Sequence, residues 1–401
     1  MRTSHRWTRR ARATTSLSVM TLLGVASPSI TAQIAFDAQS PVQTGPAPIA
    51  AVVGDFNGDG HPDVAVAMKG NDRVYIYSGN GAGGLAFAIS YAVGVQPSAI
   101  VAADFNHDAL LDLATANAGS SNVSVLLANA DGTFQPAVAY ATGDTPVSIA
   151  ADSYDADGYI DLVTANAGNV CAPPLAACGS VSLLRNNADG TFYTGATLYP
   201  QFVPSRLAAG SFHGSDSDIV VTSQSSNAFL VYLGDGGGGF PNVKGPFATL
   251  GADDVVVADF NGDGISDLAL PRFNEGDVSL QLGNGDGTFQ PAGFYSEGAV
   301  DGGVGGGAVG DFDGDGFPDL VVANVNDASV AVLRDRTIGN GGFWGALTFV
   351  GGLSQPTSIA VGDFDGDGRQ DFVVVNNAGD SLVVFLNDSS PVDRIFADGF
   401  E

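Results

Sequence analysis

The sequence predicts an all-β chain folded as a seven-bladed β-propeller with four-stranded antiparallel blades. Three observations predict it. An aspartate-rich motif returns seven times, starting at Asp55, Asp104, Ser153, Ser211, Asp259, Asp311 and Asp363, at intervals of 49, 49, 58, 48, 52 and 52 residues. Each interval holds four short apolar runs, which is the content of one propeller blade. Composition agrees: there are 55 glycines and 19 prolines, and of the 43 acidic residues only Glu275, Glu297 and Glu401 are glutamates. Aspartate in such excess places charge in turns, where its side chain caps the backbone, and not on helix surfaces, where Glu is the better former.

The chain opens with Arg2, Arg6, Arg9, Arg10 and Arg12, then the apolar run "SLSVMTLLGVA" and a small-residue site ending at Ala32. That layout predicts a secretory signal peptide over residues 1–32, whose apolar part is too short for a permanent anchor. The stretch "RRARATT" lacks the apolar residues expected after a twin-arginine pair, so the general secretory route is expected. The expected location is secreted, extracellular or cell surface, with the periplasm as the alternative. Without the leader, ten basic residues face 43 acidic ones, a balance of −33. Nucleic acid and anionic membranes both require basic patches, so neither is an expected partner, and no later run suits membrane insertion.

Residues 33–391 are assigned to the propeller. In each unit a run such as "SIAVGDF" enters the acidic loop and a run such as "DFVVVNN" leaves it. A turn rich in Asn and Gly leads to a third run such as "SLVVFLND", and a "DGTF" turn opens a fourth. The seventh unit stops after its third run, whereas "QIAFDAQSPVQTG" near the start reads as a fourth. Residues from Ile34 to Val42 are therefore expected to supply the outer strand of the last blade and tie down both ends. The closing "DRIFADGFE" departs from the pattern, so residues 392–401 are read as a C-terminal tail.

The acidic loops carry the chemistry. Their spacing, D-x-[DN]-x-D-G-x-x-D, matches the start of a calcium-binding loop: oxygens at positions 1, 3 and 5, Gly at 6 for the turn, and a backbone carbonyl at 7. An EF-hand would place Glu at position 12, but counting from Asp311 that position is Val322, in an apolar run. The carboxylate at position 9 is thus the expected last protein ligand. Hard oxygen ligands in a flexible loop favour Ca²⁺ over Mg²⁺. In the sixth unit the ligands would be Asp311, Asp313, Asp315 and Asp319, with the carbonyl of Phe317. The first unit offers Asp55, Asn57, Asp59 and Asp63 with the carbonyl of His61, and the second Asp104, Asn106, Asp108 and Asp112 with that of Leu110. The third offers Ser153, Asp155, Asp157 and Asp161 with the carbonyl of Tyr159, and the fifth Asp259, Asn261, Asp263 and Asp267 with that of Ile265. The seventh offers Asp363, Asp365, Asp367 and Asp371 with the carbonyl of Arg369.

Two of these are expected to bind less tightly. Ala109 replaces the turn glycine in the second, and Ser153 replaces the first aspartate in the third, where Asp152 lies one place early. The fourth loop, "SFHGSDSD", is one residue short and poor in carboxylates, so about six sites are expected with the fourth repeat empty. The bland alternative is a set of Asx turns capped without metal. The aromatic at position 2, from Phe56 to Phe364, persists even in the fourth copy and is assigned to packing between blades.

On these residues the chain resembles FG-GAP and VCBS-type repeats, which build the integrin α-subunit propeller and occur in secreted bacterial proteins and some fungal lectins. The resemblance implies calcium in the acidic loops and position 9 as a ligand. It spans adhesion, lectin and occasional enzymatic roles, so function must be argued from sites. Of four histidines, His5 lies in the leader and His61, His107 and His213 in or beside the loops, away from any convergent catalytic centre. Cys171 and Cys178, in the insertion "NVCAPPLAACGS", are expected to form a disulfide in an exported protein. That insertion joins strands two and three, so it emerges on the face opposite the acidic loops, which is read either as the partner-binding face or as carrying a tolerated surface insertion. The reading is a monomeric, non-enzymatic binding or adhesion module for a glycan or an extracellular or surface protein. The alternative is a secreted propeller lyase or hydrolase acting on polysaccharide.

Overall fold

The computed structural model describes residues 34–168, 179–214, 216–249, 251–252, 254–272, 275–296, 303–335, 341–344, 346–349 and 352–389. The expected signal peptide, the Cys171 and Cys178 pair of the expected disulfide, and the segment read as a C-terminal tail lie outside them. Among the described residues no helix is long and apolar enough to cross a membrane.

The strands form seven antiparallel sheets, each blade following chain order from the inside outwards. Blade 1 consists of Pro48–Gly54, Asp63–Met68, Arg73–Gly79 and Leu85–Ala92. The inner strands of blades 2 to 7 are Pro97–Ala103, Pro146–Asp152, Arg206–Gly210, Val256–Ala258, Val304–Gly310 and Pro356–Gly362. Each packs against the inner strands of its two neighbours, and the last meets the first, so the ring is closed.

The second strands show why the chain folds this way. Stretches such as Asp63–Met68, Asp319–Asn324 and Asp371–Asn376 are buried at all six positions. A strand apolar on both faces must be covered on both, and in a propeller the covers are the neighbouring blades. The core accordingly divides into clusters that straddle blade boundaries. Val163 and Val181 of blade 3 pack with Ile219 and Tyr232 of blade 4, for example.

Blade 7 takes its outer strand from the other end of the chain. Phe36–Ala38 and Val42–Gln43 both pair antiparallel with Ser381–Asn387, with Phe36 opposite Asn387 and Val42 opposite Leu382. Between them the Gln39 amide donates to the Val384 carbonyl at 2.8 Å, so the ladder continues past the break.

A repeated aromatic contact fastens each blade to the next. The position-2 aromatic packs against the aromatic that follows the glycine-rich turn of the next blade. The pairs are Phe56 with Phe134, Phe105 with Phe192, Tyr154 with Phe240, Phe212 with Phe289 and Phe260 with Phe343, at centroid separations of 5.3–6.1 Å. Phe312 of blade 6 meets Phe36 at 5.5 Å, so the N-terminal strand supplies this contact as well as the hydrogen bonds of the missing strand. Phe364 of blade 7 closes the series against Leu85 of blade 1. Alternation of strand direction puts all acidic loops and glycine-rich turns on one face. The turns between strands two and three, and the links between blades, lie on the other.

Candidate metal centres

Each acidic loop is the hairpin connection between the inner and second strands of a blade. In six of the seven the backbone enters the left-handed region twice, at positions 4 and 6, for instance Gly58 at φ +77° and Gly60 at φ +85°. Glycine adopts this without a Cβ penalty. In blade 2 the same two positions are His107 at φ +58° and Ala109 at φ +67°, so the chain takes the turn there without glycine.

Side chains at positions 1, 3 and 5 hold the turn. Asp55 accepts from the amides of Gly58, Asp59 and Gly60, and Asp259 and Asp363 repeat the pattern. Asp104 and Asp311 accept from two amides each. At position 3, Asn57, Asn106, Asp155, Asn261, Asp313 and Asp365 each accept from the amide of residue 5. At position 5, Asp59, Asp108, Asp157, Asp263, Asp315 and Asp367 accept from the amides of His61, Leu110, Tyr159, Ile265, Phe317 and Arg369, each at 2.9 Å. The six loops therefore share one type of turn, held by Asx capping at positions 3 and 5.

Position 9 has a structural task. Asp63, Asp112, Asp161, Asp267, Asp319 and Asp371 open the second strands and are fully buried. One oxygen of each accepts from the position-2 amide, and the other from an amide at or just past the end of the third strand, at 2.7–3.2 Å. In the fourth blade Asp218 does the same with the amides of Phe212 and Gly234. Position 9 is thus a structural staple in all seven blades, including the one that has lost the other acids. Its persistence in "SFHGSDSD" was the signal for that role.

Burial raises the pKa values of these staples. Asp319 is pushed up to about 8 and Asp267 to about 7; Asp112, Asp161 and Asp371 reach about 6. Loss of hydration is the main cause, opposed by the amides they accept from and reinforced by neighbouring loop carboxylates.

The donor chemistry suits a hard cation. Carboxylate oxygens of Asp311, Asp313 and Asp315 lie within 4.8 Å of one another, as do those of Asp363, Asp365 and Asp371. The blade 6 group does not include Asp319, whose oxygens face backbone amides. In blade 3 no bulge brings Asp152 into line, since it pairs in register with Asp161 and bonds the Ser153 amide. Ser153 Oγ is buried without a hydrogen-bond partner, an oxygen left available at position 1. Three loops also carry a guanidinium: Arg185 beside Asp155 and Arg334 beside Asp313, both at 3.4 Å, and Arg369 beside Asp367.

Sequence reasoning missed the device in the fourth loop. His213 Nδ1 lies 2.9 and 3.0 Å from the two oxygens of Asp218, so an imidazole occupies the place where other loops gather carboxylates. It also missed a contact between loops, the stacking of His107 on Tyr159 at 4.3 Å.

A family model described as FG-GAP-like repeat matches residues 55–115, 215–270, 268–322 and 311–374. No curated protein matches the chain. Among solved structures, BBS1N in complex with ARL6DN is similar at a TM-score of 0.60 and 12% identity, over 88% of this chain and 96% of that one. Hydrazine synthase of Kuenenia stuttgartiensis follows at 0.59 and 14%, over 87% and 98%. A lectin of Agrocybe aegerita that recognises non-reducing terminal N-acetylglucosamine is similar at 0.55 and 20%, over 82% and 86%. At these identities the likeness is one of fold.

Proposed function

The chain belongs to the FG-GAP-like repeat family, and on that premise we propose that it is an exported, calcium-stabilised propeller acting as a monomeric, non-enzymatic binding or adhesion module for a glycan or a surface protein. The observation that carries the calcium reading is the gathering of carboxylates in blades 6 and 7 within a loop conformation common to six blades. Side-chain oxygens at positions 1, 3, 5 and 9 would hold the ion together with the carbonyl at position 7, in six loops and not the fourth. A bound calcium would neutralise like charge that otherwise costs the loop stability. Export rests on the basic, apolar and small-residue succession of residues 1–32. The lectin of the same fold supports the glycan half of the reading.

The metal is tested by thermal unfolding with calcium and with excess chelator. Ligand that binds only the native state raises stability by mass action, about 2.7 kcal/mol per site at a hundredfold excess over its Kd. An unchanged melting temperature would defeat the calcium reading. Asp315→Ala should reduce the calcium-dependent gain while leaving partner binding at saturating calcium unaltered; equal loss of both would contradict separate faces for metal and partner.

A further inference from the structure

Between blades 3 and 4 lies a cleft of about 430 Å³ to which no acidic-loop residue contributes. One part of its lining is the link between Phe192–Leu198 of blade 3 and Arg206–Gly210 of blade 4, which carries Tyr199, Gln201 and Phe202. Tyr232, on the third strand of blade 4, and Val243, on its fourth, contribute another. The link packs against Gly179 and emerges on the face opposite the acidic loops.

Two tyrosines give this cleft its chemistry. Tyr199 is 71% exposed, so its ring is open for a ligand to lie against. Tyr232 is only 4% exposed as a residue, but its hydroxyl is not among the polar atoms sealed away from solvent, and no hydrogen bond to another described residue engages it, so it stays reachable from the cleft it lines. Burial pushes the Tyr232 hydroxyl up to about 12, so it stays a neutral donor at physiological pH.

The same lining narrows the occupant. It contains no Asp, Glu, Lys or Arg, in a chain of net charge −28. A charged ligand would lose hydration there without gaining a counter-charge. A wholly apolar ligand would leave the Tyr232 hydroxyl dry and unpaired, at a cost of about 1–3 kcal/mol. A neutral, hydroxyl-rich ligand with an apolar ring face meets both conditions. The cleft volume falls within the range of small-ligand sites, about 300–1,000 Å³.

We propose that this cleft binds a neutral saccharide, with Tyr199 as the surface on which the sugar ring lies and Tyr232 and Gln201 as its hydrogen-bonding groups. The assignment rests on reading the chain as a binding module and supplies that module with a site and a ligand class.

The test is a printed array of neutral and acidic glycans, probed with the calcium-saturated full chain and with Tyr199→Ala, followed by calorimetric titration of the best neutral glycan into wild type and Tyr232→Phe. Neutral glycans should bind, Tyr199→Ala should lose about tenfold or more in affinity, and Tyr232→Phe about three- to tenfold, the worth of one neutral hydrogen bond. Both variants should melt with the wild type, since one side chain is exposed and the other hydroxyl is unpaired. Unchanged glycan affinity in both variants would overturn the cleft and leave the binding-module reading standing. So would preference for acidic glycans, or binding to a purified surface protein alone. Failure of the wild type to bind glycans or surface proteins of any kind would remove the broader reading and the cleft with it.

Discussion

Ala109 shows how one side chain can tax a loop. It sits at φ +67°, where the equivalent residues Gly60, Gly158, Gly264, Gly316 and Gly368 lie between +83° and +93°. An L-residue in this region costs about 1–2 kcal/mol. Ala109→Gly should therefore raise stability by about 1 kcal/mol, visible as a higher urea midpoint at constant slope; no gain would mean the turn relaxes around alanine. The buried staples give a pH dependence of opposite sign to that usual for carboxylates. Asp319 at about 8 and Asp267 at about 7 lie above the unfolded value of 3.8. Their contribution is complete below that value and is lost as pH rises through 7 and 8. With chelator present, stability should fall between pH 5 and 8. Calcium, which favours the charged form, should flatten the curve. A chelated protein that gains stability over that interval would contradict the burial argument.

At the scale of the blade, the fourth repeat replaces a cluster of acids with one histidine. His213 bonds both oxygens of Asp218, itself held by two amides of its own blade and by the His213 amide. His213→Ala should cost about 1–3 kcal/mol by leaving a buried carboxylate short of a donor. The loss should be equal with calcium and with chelator, because no ion is expected in this loop. A loss present only in calcium would make the fourth loop a metal site after all.

For the molecule as a whole, ring closure is where local stability becomes global. Phe36 touches Phe312, Phe349 and Phe372 at 4.7–5.5 Å, and its strand pairs with the last strand of the ring. Phe36→Ala should cost about 3 kcal/mol, lowering a single cooperative melting transition. A variant that melts with the wild type would show that strand pairing alone closes the ring.

Local chemistry by itself determined the seven units, the Asx-capped loops and the position-2 aromatics, because each depends on residues a few places apart and recurs with the repeat. The missing fourth strand of the last unit was legible for the same reason. Only the tertiary structure decided which side chains meet across a blade boundary, Phe36 with Phe312 and Tyr154 with Phe240, and that Tyr199 and Tyr232 line one cleft. It also decided that the position-9 aspartate serves the backbone as well as the loop, since its partners lie seven and sixteen residues away in blade 1 and as far as twenty-five in blade 3. Such contacts depend on how seven similar sheets close into a ring, and that geometry belongs to the assembled molecule and to no single repeat.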